Sequence, residues 1–153
     1  GKIREGRNRF GETSQYDPRA GEMTIQHQGQ TIRLAVPPRT QDPVSCGYFF
    51  RTLSVKENSS VFIPVQAEGK NWNMEVKTYG SKSVKIEKTG EFQALETEPI
   101  MLFRGIFSRA GGKGEIQGLI SLDKRRIPLR MSVKIPVLGR VSSEVTEYVP
   151  GKE

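Results

Sequence analysis

His27 and Cys46 are the only histidine and the only cysteine in the chain, so they bound most site chemistry at once. A triad needs a His beside a nucleophile and a third group that orients it. A closed zinc site needs four ligands, usually several Cys and His. One residue of each kind cannot complete such a site. His27 lies in the polar stretch Gln26-His27-Gln28-Gly29 and reads as an exposed turn residue. Cys46 falls early in a candidate helix, where the dipole can lower a thiol pKa, but without a partner it reads as a buried or half-buried structural thiol. Gly111-Gly112-Lys113-Gly114 is superficially like a phosphate loop. A true one needs Ser or Thr directly after the Lys and a helix behind it, whereas Gly114, Glu115 and then a strand pattern follow here. Glu96 and Glu98, two apart on a strand, share a face. Paired carboxylates hydrolyse glycosides only across a bond at a defined separation, and no second wall or sugar platform accompanies these two. The residues thus offer no catalytic set, no metal ligand set and no cofactor motif.

Two constellations speak for binding. Lys124, Arg125, Arg126 and Arg130 cluster at one hairpin, and Lys2, Arg4, Arg7 and Arg9 near the start. Such groups can hold anions, with Arg doing so through two parallel bonds; they also protect sheet edges from aggregation. The aromatic set Phe49, Phe50, Trp72, Phe103 and Phe107 would either line an apolar ligand hollow or form ordinary core. The charge balance leans the same way: 24 Lys and Arg against 17 Asp and Glu, a formal net charge of +7, and a pI near 9.7 favour anionic partners.

The elements that must position these residues are mostly strands. Met23 and Ile25, then Ile32, Leu34 and Val36, alternate around Gln28-Gly29 as a β-hairpin. Residues 1–15 are polar and Arg-rich, an edge strand or a loose arm. Asp42-Pro43 is a helix start, since Asp accepts from orphan N–H groups and Pro fits the first helical position. Over residues 42–53 the spacing places Tyr48, Phe49, Thr52 and Leu53 on one face. From Ser60 onward the period is two. Val61, Ile63 and Val65 share a face, and Pro64 marks an edge strand or a bulge because it cannot donate to a ladder. Trp72, Met74 and Val76 follow, continued by Val84 and Ile86, with Phe92 and Ala94 facing away from Leu95. Residues 99–107 are the most apolar stretch. Ile116, Gly118, Ile120 and Leu122, then Ile127, Leu129, Met131, Val133 and Ile135, alternate without a break. The chain reads as a single β domain over residues 1–153: a curved antiparallel meander of about nine strands, a half-barrel or open barrel, with one short helix. The hydrophobic share of 35% suits a sheet packed on one face and wet on the other. No stretch approaches the roughly 20 apolar residues of a membrane helix.

Taken together, several short motifs resemble a family. Asp42-Pro43-Val44-Ser45 leading to Tyr48 and Arg51 resembles the helix of a bacterial family of exported proteins known as domain of unknown function 3108. Lys88-Thr89-Gly90-Glu91-Phe92 resembles one of its hairpins. Leu122-Asp123-Lys124-Arg125-Arg126-Ile127-Pro128-Leu129 resembles another, and residues 139–148 its closing strand. The likeness runs over about residues 16–148 and is assigned to the C-terminal two-thirds of the chain. It implies a periplasmic or envelope location, no known activity, and an architecture similar to the half-barrel of the lipoprotein carriers LolA and LolB. Gly1 in place of Met fits a chain that begins part-way into its gene product.

The expected role is therefore a non-enzymatic envelope protein that binds an apolar or amphiphilic ligand, such as a lipid, or a partner protein on its curved sheet. Self-association or assembly through a sheet edge stands second. A basic β-barrel stacking nucleic-acid bases stands third, weakened by the lack of aromatic pairs between basic residues. An enzyme stands last.

Overall fold

The computed structural model describes residues 2–5, 8–17, 19–27, 29–100, 116–135 and 139–149. Among these lie ten strands and one helix: β1 (Lys2–Glu5), β2 (Asn8–Asp17), β3 (Glu22–His27), β4 (Gln30–Ala35), α1 (Ser45–Thr52), β5 (Ser59–Ala67), β6 (Lys70–Ile86), β7 (Gly90–Ile100), β8 (Ile116–Ser121), β9 (Pro128–Ile135) and β10 (Gly139–Glu144). They form a four-stranded sheet, β1-β2-β3-β4, and a six-stranded sheet, β10-β9-β8-β7-β6-β5. Every strand pair is antiparallel and joins sequence neighbours, as short hairpin connections dictate. The expected mainly β meander with one short helix is the observed fold, and it does not close into a barrel among the described residues. The Arg-rich start forms strands, with β1 an edge.

The helix is shorter than residues 42–53: it runs from Ser45 to Thr52 with Val44 before it, and Asp42 closes the turn that leads into it. Asp42 Oδ1 accepts from the Val44 and Ser45 amides at 2.7 and 2.9 Å. Ser45 donates its hydroxyl to the same carboxylate and accepts from the Asp42 amide at 3.2 Å, a reciprocal cap. The buried stripe differs from the expected one. Phe50 is core, with Cys46, Phe49 and Leu53 packed beside it, while Tyr48 is 66% exposed and Thr52 is exposed. Residues 46, 49, 50 and 53 follow the i, i+3, i+4, i+7 spacing of one helical face; 48 and 52 fall off it.

The six-stranded sheet buries two clusters. Phe50 of the helix packs with Ile63, Val65, Ala67, Met74 and Val76 of the sheet. Val84, Ile86, Ala94, Leu119, Ile127 and Leu129 form the second, with Phe92, Val145 and Tyr148 packed on it. The cross-strand register puts the two on opposite faces. Val76 pairs with Pro99 and Thr78 with Thr97, whereas Lys82 pairs with Ala94 and Val84 with Phe92; between them the register shifts at residues 78–81. A second shift lies between Leu119 and Ile120, where Leu129 is the extra residue on β9. A bulge moves the side-chain alternation by one step. Val84, Ile86 and Leu129 therefore point away from the helix, although their spacing from Val76 and Met131 is even. The unbroken two-residue period expected along β6 and β9 is corrected on that point.

Candidate binding face

The face of the six-stranded sheet opposite the helix carries the polar phase of several strands. Lys82 on β6 and Glu96 on β7 form an ion pair at 3.0 Å. Arg130 on β9 donates through Nε to Glu144 on β10 at 2.6 Å. Arg140 on β10 donates to the Ser132 hydroxyl at 3.2 Å. With Gln117 and Ser142 these residues rim a shallow hollow of about 220 Å³ whose floor includes Leu119. A second hollow of about 200 Å³ lies by the β8–β9 turn, between Phe92, Gln93, Ser121, Asp123 and Arg125.

Next to the first hollow, the Tyr79 hydroxyl donates to Glu98. This bond is the main reason the phenol pKa is raised; burial and the charges of Glu98, Glu96 and Glu75 add to it. Glu98 is itself 6% exposed, and its Oε1 is buried without a hydrogen-bond partner. Glu96 and Glu98 do share the face, yet each is committed to a different neighbour, Lys82 and Tyr79. The arrangement is a hydrogen-bonding surface, not an acid–base pair.

Both edges of this sheet bear on the site. Along β5, Gln41 donates to the Pro64 carbonyl and accepts from the Gln66 amide, both at 2.8 Å. Pro64 has no N–H of its own, so that edge is largely closed. On β10 all six residues are exposed and no strand lies outside it among the described residues.

The predicted residues are placed as follows. Phe50 is core, Phe49 and Trp72 are half-buried against the same cluster, and the Trp72 indole donates to the Ala67 carbonyl at 3.0 Å. Phe103 and Phe107 lie outside the described residues. Of the cations, Lys124 is exposed. Arg125 donates through Nε to Asp123 at 2.8 Å and sits 5.7 Å from the centre of the Tyr148 ring. Arg126 takes φ 49° at the turn's end, and Arg130 holds Glu144. Arg125 and Arg130 thus already carry carboxylates. The Arg125 carbonyl accepts from Arg51 at 2.9 Å, which ties the helix to this turn. Burial, and then the Asp42 charge, push the Cys46 thiol pKa up; the thiol donates to the Pro43 carbonyl at 3.1 Å. His27 pairs with Gln30 through the β3–β4 ladder. Among the described residues no cluster of His, Cys, Asp and Glu could hold a metal ion, and no helix is long and apolar enough to cross a membrane. Lys82, Gln117, Ser132, Arg140 and Ser142 were not legible as a site. Their only signal is the polar phase of the strand alternation, which reads equally as a wet face.

The described residues define a class by fold alone: two open antiparallel β-sheets with one helix, the larger sheet carrying a polar face. The chain belongs to the family described as protein of unknown function, DUF3108, whose sequence model matches residues 2–146. That match reaches well beyond the C-terminal two-thirds and takes in the amino-terminal sheet. No curated protein and no solved structure matches the chain.

Proposed function

We propose that residues 1–153 act as one non-enzymatic binding domain of the bacterial cell envelope that engages a partner protein on the polar face of its curved sheet. The observation that carries this reading is the run of ion pairs and hydroxyls around Lys82, Glu96, Ser132 and Arg140, which leads to β10, the outermost strand of the sheet among the described residues. Mixed charges and adaptable hydroxyls suit a protein surface better than a phosphate backbone, because the Lys82 and Arg130 charges are already matched by Glu96 and Glu144. Nucleic acid therefore ranks below protein. The envelope location draws on the family resemblance alone. An apolar or amphiphilic ligand is the second reading, favoured by the half-buried Phe49 and Trp72 beside the helix-covered core.

Site-specific photo-cross-linking in the native producing cell tests the first reading. A cross-linker at Gln117 or Ser142 should give one discrete adduct that a cross-linker at exposed Lys88 does not. Equal labelling from all three positions would overturn it. Saturable uptake of a fluorescent fatty acid, quenching Trp72, would transfer the role to the amphiphile. Fractionation of the same cells checks the compartment.

A further inference from the structure

The arginines around the β8–β9 turn fall into two kinds. Arg125 holds Asp123 through Nε at 2.8 Å, and the same carboxylate accepts from the Ser121 hydroxyl at 2.8 Å and the Arg125 amide at 3.1 Å. Arg51 and Arg126 have no counter-ion. Arg51 donates through Nη2 to the Arg125 carbonyl at 2.9 Å, a neutral acceptor. Neither Arg51 nor Arg126 forms an ion pair among the described residues, and the Arg126 guanidinium makes no hydrogen bond there. Each also encloses one nitrogen that meets no acceptor, Nε of Arg51 and Nη1 of Arg126. Buried donors almost always find a partner, and a charged one left without it is costly. Both residues are half-buried, and Arg51 Nη1 and the Arg126 Nε and Nη2 are not enclosed in this way.

The fold brings the two residues to one end of the sheet. The Arg51 bond sets its guanidinium against the peptide unit that Arg125 shares with Arg126. Arg125 stacks on Tyr148 and Ile127 belongs to the second cluster, so both serve the side covered by the tail. Arg126 stands between them, at φ 49°. Residues 121–127 and α1 together carry four cations, Arg51, Lys124, Arg125 and Arg126, against the one carboxylate of Asp123.

We propose that Arg51 and Arg126 together hold a phosphate group. A guanidinium is planar and its charge is delocalised, so an oxyanion at the open edge also offsets the charge on the enclosed one. Two unmatched cations call for a dianion. A phosphate monoester carries about −1.5 to −2 at neutral pH and three acceptor oxygens, enough for two parallel bonds from one Arg and a further bond from the other. A carboxylate would leave one cation unmatched. Two cations at one point suit a single phosphate group and not the length of a nucleic-acid backbone. The site belongs to the helix and the turn, apart from the polar hollow. It goes beyond the proposed partner-binding role, and either can fail without the other.

Isothermal titration calorimetry of the full chain with inorganic phosphate, at constant ionic strength, tests it. Binding should saturate at one phosphate per chain. Arg126→Asn removes the guanidinium and keeps the backbone, since Asn tolerates a positive φ. It should weaken binding about tenfold or more, as charge-assisted bonds are lost. Arg51→Gln should do the same; because Arg51 also ties the helix to the turn, a circular dichroism melt shows whether that variant has folded, and Arg126→Asn decides where it has not. Lys88→Gln removes an equal charge from an exposed turn and should change affinity by less than about twofold. Co-sedimentation with vesicles of phosphatidic acid in phosphatidylcholine separates the sources. Pelleting that Arg126→Asn abolishes assigns the phosphate to a lipid headgroup; phosphate binding without pelleting assigns it to a soluble phosphate. Heats that never saturate overturn the proposal. So does acetate binding as tightly as phosphate, an Arg126→Asn variant that binds phosphate like the parent chain, or a loss in Lys88→Gln as large as that in Arg126→Asn.

Discussion

The two buried clusters of the six-stranded sheet differ in how they are covered. Under the helix, Ile63 and Val65 are fully inaccessible and Phe50 is 6% exposed. That cover is a closed element that satisfies its own backbone groups, capped by Asp42 and tied by Arg51 to the β8–β9 turn. On the opposite face, Ile86, Leu129 and Ala94 are buried as deeply. Their cover is an extended segment after β10 that presents Val145 and Tyr148. It is attached by one backbone bond to Leu129 and by the stacking of Tyr148 on Arg125, which Asp123 holds in place. Equal depth with unequal attachment teaches that burial and local stability are separate quantities. The tail-covered cluster should open at lower free energy than the helix-covered one.

The strongest way to break this comparison is to hollow out each cluster. Ile63→Ala and Leu129→Ala should each cost about 2–5 kcal/mol in denaturant unfolding, since both side chains are 0% exposed. A cost under about 1 kcal/mol for Leu129→Ala would demote the second cluster to a surface patch. Next comes the crossing between them. A Cβ on Gly118 would stand 2.6 Å from the Thr97 hydroxyl, so Gly118→Ala should cost about 1–3 kcal/mol. Thr97→Ala in the same chain should recover much of that loss in a double-mutant cycle.

The caps come third. Asp42→Ala should cost about 1 kcal/mol and loosen only the helix side. Burial pushes the Asp42 pKa up, but bonds from the Ser45 hydroxyl and the Ser45 and Val44 amides together outweigh it and leave the pKa lowered. The sign follows: the cap's contribution is present above the unfolded carboxylate pKa, and it is lost as pH falls through the lower folded value. Asp123 behaves alike, with burial opposed by bonds from Arg125 and Ser121. Acid unfolding below about pH 4 should therefore lose part of its pH dependence in Asp42→Asn and in Asp123→Asn. The smallest effect is expected at the tail. Tyr148→Ala should cost about 0.5–1 kcal/mol. It should speed amide exchange in β8 and β9 while β5 stays unchanged; uniform acceleration would mean that the two covers are not independent.

Much of the fold was legible in the sequence because strand alternation and turn chemistry are local. Met23 to Leu34, Val61 to Val65 and Trp72 to Val76 each repeat every two residues, and Gly29, Gly69 and Gly90 take the positive φ their turns require. Pro64 announced an edge strand or a bulge, and the edge is what it marks; Asp42-Pro43 announced the turn that leads into the helix. The buried helical stripe was half legible: Phe49 and Leu53 were placed correctly, Tyr48 and Thr52 were not. The candidate binding face was not legible, since polar residues at alternate positions carry no mark that separates a site from a wet surface.

Composition and periodicity by themselves determined a mainly β antiparallel chain with one capped helix. Both express steric and hydrogen-bonding preferences of a few neighbouring residues. Only the tertiary structure decided which side each apolar residue faces beyond the bulges at residues 78–81 and at Leu129. One extra residue moves every later side chain to the other face, and whether the chain admits it depends on the strand across the ladder. That switch divides one expected core into two, and it leaves Lys82, Ser132 and Arg140 together on one face of the sheet.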